Sequence, residues 1–384
     1  MSEVIKGLTW AHTRGYVPKV AASQAYTDFR PEVEFEWSKV SLRDFGEGNL
    51  DELGERFDLL VIDYPFVGTI AEAGLIYPLD ELFDEAFVDA QRAACIGPAF
   101  GSYSYDGRDW ALPLDSASQV TAYRPDLLEA SGHALPRDFG EVVELARATG
   151  RVAQPLAPLA ASGTFWTLCT TAGERPLRSR AEVVSEDVGV RALGLMHDLF
   201  AHLDPICMEL NPIQLLGLLA SSDRFMFAPS LYGYSNYSRV GYAPRRVEFA
   251  NVTGAEAGVH AATIGGAGLV VSRATRHLDT CLEFARFVSD PVVQGSLYVD
   301  AGGQPAHEAV WTDARANELT GGFFANVAET MRNGYVRPNY PGFAVAQSKM
   351  AALIRAALTS GEAPRETLAK MNEVYTGSLP PADA

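Results

Sequence analysis

Hydrophobic and polar positions alternate in a way that predicts strands and helices in turn along the first third of the chain. Leu59 to Ile62 is a short run of apolar residues, which is typical of a strand buried on both faces. Strands that alternate with helices indicate parallel β-α-β units. Further strands are predicted at 4–10 and 34–40, with a loop at 11–16, a helix from there to about Phe29, and a short helix at 50–56.

The rest of the chain continues the mixed pattern of strands and helices. Residues 102–113, SYSYDGRDWALP, predict a hairpin whose turn is Asp106-Gly107. A strand at 119–123 is stopped by Pro125, and the helix after it ends at Gly132. Strands are also predicted at 225–229 and 262–272, and helices at 136–149, 184–203, 278–288, 291–301, 347–359 and 363–375.

Asp63, Tyr64 and Phe66 directly follow the buried strand at 59–62. In open α/β sheets, ligands bind just beyond the carboxyl ends of the strands. An ionised Asp63 could accept two hydroxyl groups, while Tyr64 or Phe66 could stack on a flat apolar face of a polar ligand. Alternatively, Asp63 only caps the short helix predicted at 68–74.

Trp10, His12 and Arg14 follow the first predicted strand in the same manner. His12 could donate a hydrogen bond to a ligand hydroxyl, and Arg14 could bind a carboxylate or phosphate through two parallel hydrogen bonds. The alternative is that Trp10 packs in the core and Arg14 lies on the surface.

Tyr232, Tyr234 and Asn236 belong to the segment YGYSNY, in which tyrosines are interleaved with small polar residues. A core strand would not alternate in this way, and tyrosine with Ser, Gly and Asn is the composition of adaptable recognition loops. We therefore expect this segment to contact a ligand. Gly265 and Gly266 either let the backbone closely approach a ligand or an opposite lobe of the protein, or they form a tight turn.

The order of these segments resembles the extracellular solute-binding proteins of ABC transporters, in particular the carbohydrate-binding group. AGLIYPLDELF at residues 73–83 and the Gly-Gly/Pro turn of AGGQPAHEAVW at 301–311 have counterparts in that family, and the resemblance spans about Leu8 to Tyr375. It implies a two-lobe α/β fold of the periplasmic binding protein type II, in which each lobe is a mixed sheet flanked by helices. Hinge strands would join the lobes.

The resemblance also implies how the chain is divided between the two lobes. The N-terminal lobe would take residues 1–116 and about 265–310, and the C-terminal lobe 117–264 and about 311–384 with a helical tail. Asp115 and Ser116 would lie at the hinge, where they either touch ligand or simply form the turn. Ser162 and Trp166 would face the cleft from the second lobe.

The function implied by the resemblance is binding without chemistry. A small polar ligand, best matched by a carbohydrate or polyol, would bind in the cleft, shift an open–closed equilibrium and pass to the membrane subunits of an ABC importer. Because Arg14 and Arg337 could bind an anionic group, an acidic or phosphorylated ligand is an alternative. The protein would act as a monomer in the periplasm. Residues 1–10 show no signal-peptide pattern, so either a leader has been removed or the protein stays in the cell.

Composition narrows the classes of partner. A net charge of −17 argues against nucleic acid or anionic membrane as a partner. The sequence contains no apolar run of membrane-spanning length and no CxxC, Walker A, GxSxG or HExxH motif, and no GxGxxG follows a strand; we expect neither a metal nor a cofactor. The four cysteines, expected to be small buried hydrophobic residues, are Cys95, Cys169, Cys207 and Cys281.

Two other functions are compatible with the same fold. Related thiamine-degrading and pyrimidine-forming enzymes carry a reactive Cys or His in the cleft, and Cys169 near Trp166 or Cys95 before a Gly-Pro loop could serve if a base lay nearby. The second alternative is a cytoplasmic sensor that reports ligand to a regulator.

Overall fold

The computed structural model of the protein describes residues 3–41, 56–254 and 258–381. The chain divides into two compact units. Unit 1 comprises Met1–Ala117, Gly265–Asn317 and Asn339–Pro341, and unit 2 comprises Ser118–Ile264, Glu318–Pro338 and Gly342–Ala384.

The sheet of unit 1 has the order β2-β1-β3-β9, followed by the first half of β6. β1 is parallel to β2 and β3, with Glu3 opposite Val33, whereas β9 is antiparallel to β3. β9 joins this sheet after the chain has passed through Ser118–Ile264, which belongs to unit 2. The strands are β1 Glu3–Trp10, β2 Val33–Val40, β3 Leu59–Ile62, β6 Leu112–Tyr123 and β9 Ile264–Val271, and a separate hairpin joins β4 Ser104–Tyr105 to β5 Arg108–Asp109.

Some helices of unit 1 directly follow the ends of its strands. β3 runs directly into a 3₁₀ turn at Tyr64–Phe66, so residues 63–66 stand at the end of a strand whose four side chains are all buried. A π-helical segment at Gln294–Tyr298 directly continues the short helix Pro291–Val293. The helices are α1 Thr13–Phe29, α2 Val67–Glu72, α3 Leu79–Leu82, α4 Glu85–Ala94, α10 Leu278–Val288, α11 Pro291–Val293 and α12 Glu308–Thr312, and α13 Ala314–Leu319 begins in unit 1 and ends in unit 2.

Unit 2 is mainly helical. The second half of β6 pairs antiparallel with β7, where Gln119 is opposite Tyr232, and with β8. The remaining elements are β7 Phe227–Tyr232, β8 Glu248–Ala250, α5 Pro125–Ser131, α6 Phe139–Thr149, α7 Pro158–Thr171, α8 Glu186–Phe200, α9 Pro212–Ser221, α14 Phe323–Arg332, α15 Phe343–Ser360 and α16 Pro364–Thr376.

Most predicted elements are present, and the differences have local causes. The loop predicted at 11–16 is shorter, because His12 accepts a hydrogen bond from the Arg14 amide and starts α1 at Thr13. α6 begins at Phe139 because Asp138 caps it. β6 is a strand of twelve residues rather than five. The helix predicted at 50–56 lies, except for Arg56, outside the described residues.

The hairpin and the helix ends agree with the predicted turn chemistry. Asp106 and Gly107 both have positive φ, 49° and 71°, as the tight turn between β4 and β5 requires. Gly132 ends α5 in the left-handed conformation. Within the described ranges, no helix has both the length and the apolar composition needed to cross a membrane.

Asp138→Ala should destabilise unit 2, because the Asp138 carboxylate accepts from the backbone N–H of Glu141 at 2.9 Å and caps α6. We expect a loss of about 1 kcal/mol in the free energy of unfolding, measured by urea denaturation. Asp138→Asn keeps a capping oxygen and is the matched control. An equal loss in both variants would contradict the capping role.

Candidate functional site

The start of α1 in unit 1 collects three of the predicted site residues. Trp10 ends β1 and is buried, and its ring lies so close to Gly15 that a Cβ there would fall 2.4 Å from it. His12 accepts from the Arg14 amide through Nδ1 at 3.0 Å. Burial, assisted by the nearby Arg14 charge, lowers the pKa of His12 to about 3, so the imidazole is neutral at physiological pH.

Arg14 and Asp115, both predicted site residues, form an ion pair that is 3% and 1% exposed. Arg14 Nε donates to Asp115 Oδ2 at 2.8 Å, and Arg14 Nη2 donates to Asp115 Oδ1. This two-point geometry neutralises both charges within unit 1. Neither residue lies on the surface, which was the alternative for Arg14.

Lys19, one turn further along α1, was not predicted as a site residue. It is completely buried, and its Nζ donates to Tyr298 Oη at 2.5 Å. The ammonium group lies 4.9 Å from the ring centroids of both Trp10 and Tyr298. Burial lowers the pKa of Lys19 to about 7; Asp115 opposes this decrease, and Arg14 adds to it.

Asp63, Tyr64 and Phe66 lie at the end of β3, as expected. The Asp63 side chain does not cap the 3₁₀ turn that follows it. Tyr64 is fully buried and meets Tyr103 edge-on, with 6.2 Å between the ring centroids, whereas Phe66 is half-buried. Burial raises the pKa of Tyr103 well above its usual value, and the Asp63 and Asp115 charges add to this increase.

The backbone of Ser116 is held by Gln304, and both residues belong to unit 1. The Ser116 amide donates to Gln304 O at 3.0 Å, and Gln304 Nε2 donates back to Ser116 O at 2.8 Å. Gly266 follows Gly265 in β9 with φ of 144°, and a Cβ on it would lie 2.3 Å from Asp115 O. Gly266 therefore lets the β9 backbone lie close to the Asp115 carbonyl, and its approach to a ligand stays a prediction.

Ser162 and Trp166 lie one turn apart on α7 in unit 2, and both are fully buried. Ser162 Oγ accepts from Gln347 Nε2 at 3.2 Å, and Gln347 Oε1 accepts from Arg337 Nη1 at 3.2 Å. Three buried polar side chains are thus linked in a row: Arg337 before α15, Gln347 on α15 and Ser162 on α7.

The tyrosine-rich segment of unit 2 is more ordered and more buried than a loop. Ser235–Ser238 forms a 3₁₀ turn, and Tyr234 and Asn236 are both buried. Tyr232 ends β7 half-buried, and its hydroxyl donates to Ile264 O at 3.3 Å. The three predicted residues therefore form part of a packed corner next to β9, and ligand contact by them stays a prediction.

The prediction that the four cysteines are small buried residues is confirmed, and all four are free thiols. Burial raises the pKa to about 12 for Cys95 and Cys281, to about 11 for Cys207 and well above its usual value for Cys169. The thiolate is the nucleophilic form, so these groups are inert at physiological pH.

The family model of the bacterial extracellular solute-binding proteins matches residues 12–200, which include α1, β3 and the Arg14–Asp115 pair. The predicted resemblance is confirmed. This family consists of binding proteins for transport rather than of enzymes. No curated protein matches the chain in sequence.

Solved structures of solute-binding proteins have the same fold. The maltose-bound MalE3 of T. maritima has a TM-score of 0.82 at 18% identity, over 98% of this chain and 100% of that chain. A ribitol complex from Agrobacterium radiobacter has a TM-score of 0.81 at 15% identity, over 98% of both chains. An α-D-tagatose complex from Thermotoga lettingae has a TM-score of 0.79 at 15% identity, over 97% and 100%. The predicted fold class is confirmed.

Sequence reasoning did not single out Lys19, Tyr298, Gln304, Gln119 or Gln347, although all five are buried polar contacts of predicted site residues or their neighbours. Lys19 was hidden inside a helix, where a lysine normally indicates a solvated face. Gln119 and Gln347 stand in a strand and a helix without any motif, and Gln304 stands in the Gly-Gly/Pro turn, which was noted only for its resemblance to the family. Only the pairing of distant segments reveals them.

The buried lysine gives unit 1 a defined pH response. Between about pH 7 and 10.5 the unfolded chain carries a proton on Lys19 that the folded chain has lost, so the free energy of unfolding should rise with pH across this window. Across the whole window, the deprotonation of Lys19 should raise the free energy of unfolding by up to about 5 kcal/mol, at 1.36 kcal/mol per pKa unit. The double variant Lys19→Met/Tyr298→Phe should lack this rise in urea denaturation at pH 7, 8 and 9.

The single variant Tyr298→Phe is the control, since it keeps the lysine and removes only its hydroxyl partner. It should retain the rise in stability between pH 7 and 9. A double variant that shows the same pH dependence as the wild-type protein would contradict a depressed pKa at Lys19.

Proposed function

We propose that the protein binds an uncharged carbohydrate or polyol and delivers it to an ABC importer. The family match and the fold support a binding protein of this class. Three proteins of the same fold carry maltose, ribitol and α-D-tagatose, which are all uncharged and rich in hydroxyl groups. The observation in this chain that carries the proposal is the pairing of Arg14 with Asp115.

This ion pair bears on the charge of the ligand. An arginine that recognises a carboxylate or phosphate presents its guanidinium edge to the ligand. Arg14 instead gives Nε and Nη2 to Asp115. His12 is neutral and Lys19 titrates near pH 7, so this part of unit 1 does not supply a strong positive field. A neutral ligand fits these groups better than a sugar acid or sugar phosphate.

Unit 2 offers uncharged hydrogen-bonding groups of the kind that hydroxyl-rich ligands need. Gln119, Ser162, Thr167 and Gln347 are all buried on or against α7, and each carries a hydroxyl or an amide. Ligand pockets are mostly apolar and contain a few polar groups of this sort. The binding residues of the proposal are the fifteen predicted positions: Trp10, His12, Arg14, Asp63, Tyr64, Phe66, Asp115, Ser116, Ser162, Trp166, Tyr232, Tyr234, Asn236, Gly265 and Gly266.

The proposal also covers partner, assembly and location. The importer's membrane subunits would be the protein partner, and the binding protein would act as a monomer in the periplasm or outside the cell. The acidic net charge of −17 supports a function without nucleic acid. Inert cysteines support binding over the enzyme alternative, because a thiol with a raised pKa does not act as a nucleophile.

A thermal-shift screen should find ligands among neutral sugars and polyols. Ribitol, α-D-tagatose and maltose are the first probes, with gluconate, glucuronate and glucose 6-phosphate as charged counterparts. A ligand at ~100 times its Kd stabilises the folded state by about 2.7 kcal/mol, which should raise Tm by a few degrees. Hits confined to the charged compounds would overturn the neutral-ligand proposal, and consumption of a hit during incubation would indicate an enzyme.

Delivery to an importer requires a test in the native organism. Deletion of the chain should abolish uptake of the radiolabelled hit at concentrations near its Kd, and a plasmid-borne copy should restore it. Unchanged uptake in the deletion strain would contradict a role in transport and favour a sensor.

A further inference from the structure

One face of α7 carries a stripe of polar contacts within unit 2. Residues 162, 163, 166 and 167 lie on the same face of a helix with 3.6 residues per turn. Ser162 stands at one end of this stripe and Thr167 at the other, with Gly163 and Trp166 between them. We call these four residues the α7 stripe.

Both ends of the α7 stripe are engaged. Ser162 Oγ accepts from Gln347, as described above, and donates to Leu159 O at 2.9 Å. Thr167 Oγ1 donates to Gln119 Oε1 at 2.5 Å and accepts from the Thr263 amide at 3.3 Å. The two hydroxyl groups are therefore fixed by partners from α15, β6 and the segment before β9.

The middle of the stripe differs from its ends. Gly163 leaves room for the amide of Gln119, whose Nε2 would lie 2.5 Å from a Cβ at that position. The indole Nε1 of Trp166 is buried and has no hydrogen-bond partner among the residues that the structure describes. An indole nitrogen is a donor only, and a buried donor without an acceptor is destabilising.

The ring of Trp166 is fully packed, whereas its nitrogen makes no hydrogen bond in the described part of the chain. The side chain is 0% exposed, and the ring packs edge-on against Phe165 with 5.1 Å between centroids. A completely covered ring has no free face on which a sugar could stack. The N–H group is thus the part of this side chain with unused bonding capacity in the described structure.

We propose that Trp166 recognises the ligand through its indole N–H, which donates to a hydroxyl or ether oxygen, and not by stacking. The inference rests on the proposed function and adds the type of contact. The amides of Gln119 and Gln347 flank this donor along the α7 stripe, and Gln347 in turn accepts from the buried Arg337 guanidinium. Because the nitrogen is buried, the side chains that cover it must move before a ligand reaches it.

Trp166→Phe tests the proposal by isothermal titration with ribitol, α-D-tagatose and maltose. The variant removes the donor and keeps an aromatic ring, and the affinity for the ligand that binds the wild-type protein should fall about tenfold, as expected for one lost hydrogen bond. A fall of this size supports N–H recognition. An unchanged affinity overturns it and assigns the N–H to a buried water molecule.

Trp311→Phe is the matched control in unit 1. Trp311 is 1% exposed, and its Nε1 donates to Pro305 O at 2.9 Å, so its donor already has a partner. Both variants lose similar ring volume, but only Trp311→Phe leaves a carbonyl without its donor. The control should therefore lower the stability of the ligand-free protein more than Trp166→Phe and leave ligand affinity unchanged. Equal losses of affinity in both variants would mean a general packing effect and overturn the proposal.

A second measurement uses the wild-type protein and does not depend on whether a variant folds. The protein contains five tryptophans and so gives five indole N–H signals in a ¹H–¹⁵N correlation spectrum. The assigned Trp166 signal should move downfield on addition of the bound probe, and a Trp166 signal that stays in place overturns the proposal. If the wild-type protein binds none of the three probes or any other neutral sugar or polyol, the proposed function itself fails, and the inference fails with it.

Discussion

The buried ion pair between Arg14 and Asp115 is the constraint on which the rest of unit 1 depends. It joins the first turn of α1 to the first half of β6 across 101 residues of sequence. Taking both charges out of water is costly, and the cost is offset only when the two-point geometry is kept. Loss of either partner would leave a buried charge, so the positions of β6 and α1 are fixed relative to one another.

The ion pair also sets the charges around it. Asp115 lies near two buried basic side chains, Arg14 and Lys19, and the Arg14 guanidinium donates to both of its oxygens. Lys19 is left with the Tyr298 hydroxyl and two aromatic faces, which stabilise an ammonium less than a carboxylate does. His12 lies beside the same guanidinium and stays neutral. The acidic protein therefore holds a region of nearly balanced charge inside unit 1.

Local patterns predicted the elements well because each depends on neighbours in sequence. The apolar run of β3, the Asp106-Gly107 turn and the Gly132 helix end are all present where the sequence places them. The partner of Arg14 could not be predicted in this way, because hydrogen-bond pairing between distant segments is set by the fold. For the same reason the buried state of Lys19 was missed.

Four inert thiols make the protein a convenient object for single-site labelling. A cysteine introduced on an exposed helix surface would react with a maleimide dye long before Cys95, Cys169, Cys207 or Cys281, whose burial keeps them protonated. The native sequence would then need no cysteine replacements before distances within the protein were measured by fluorescence. Because all four thiols are free, the fold contains no disulfide bond that a reducing buffer could break.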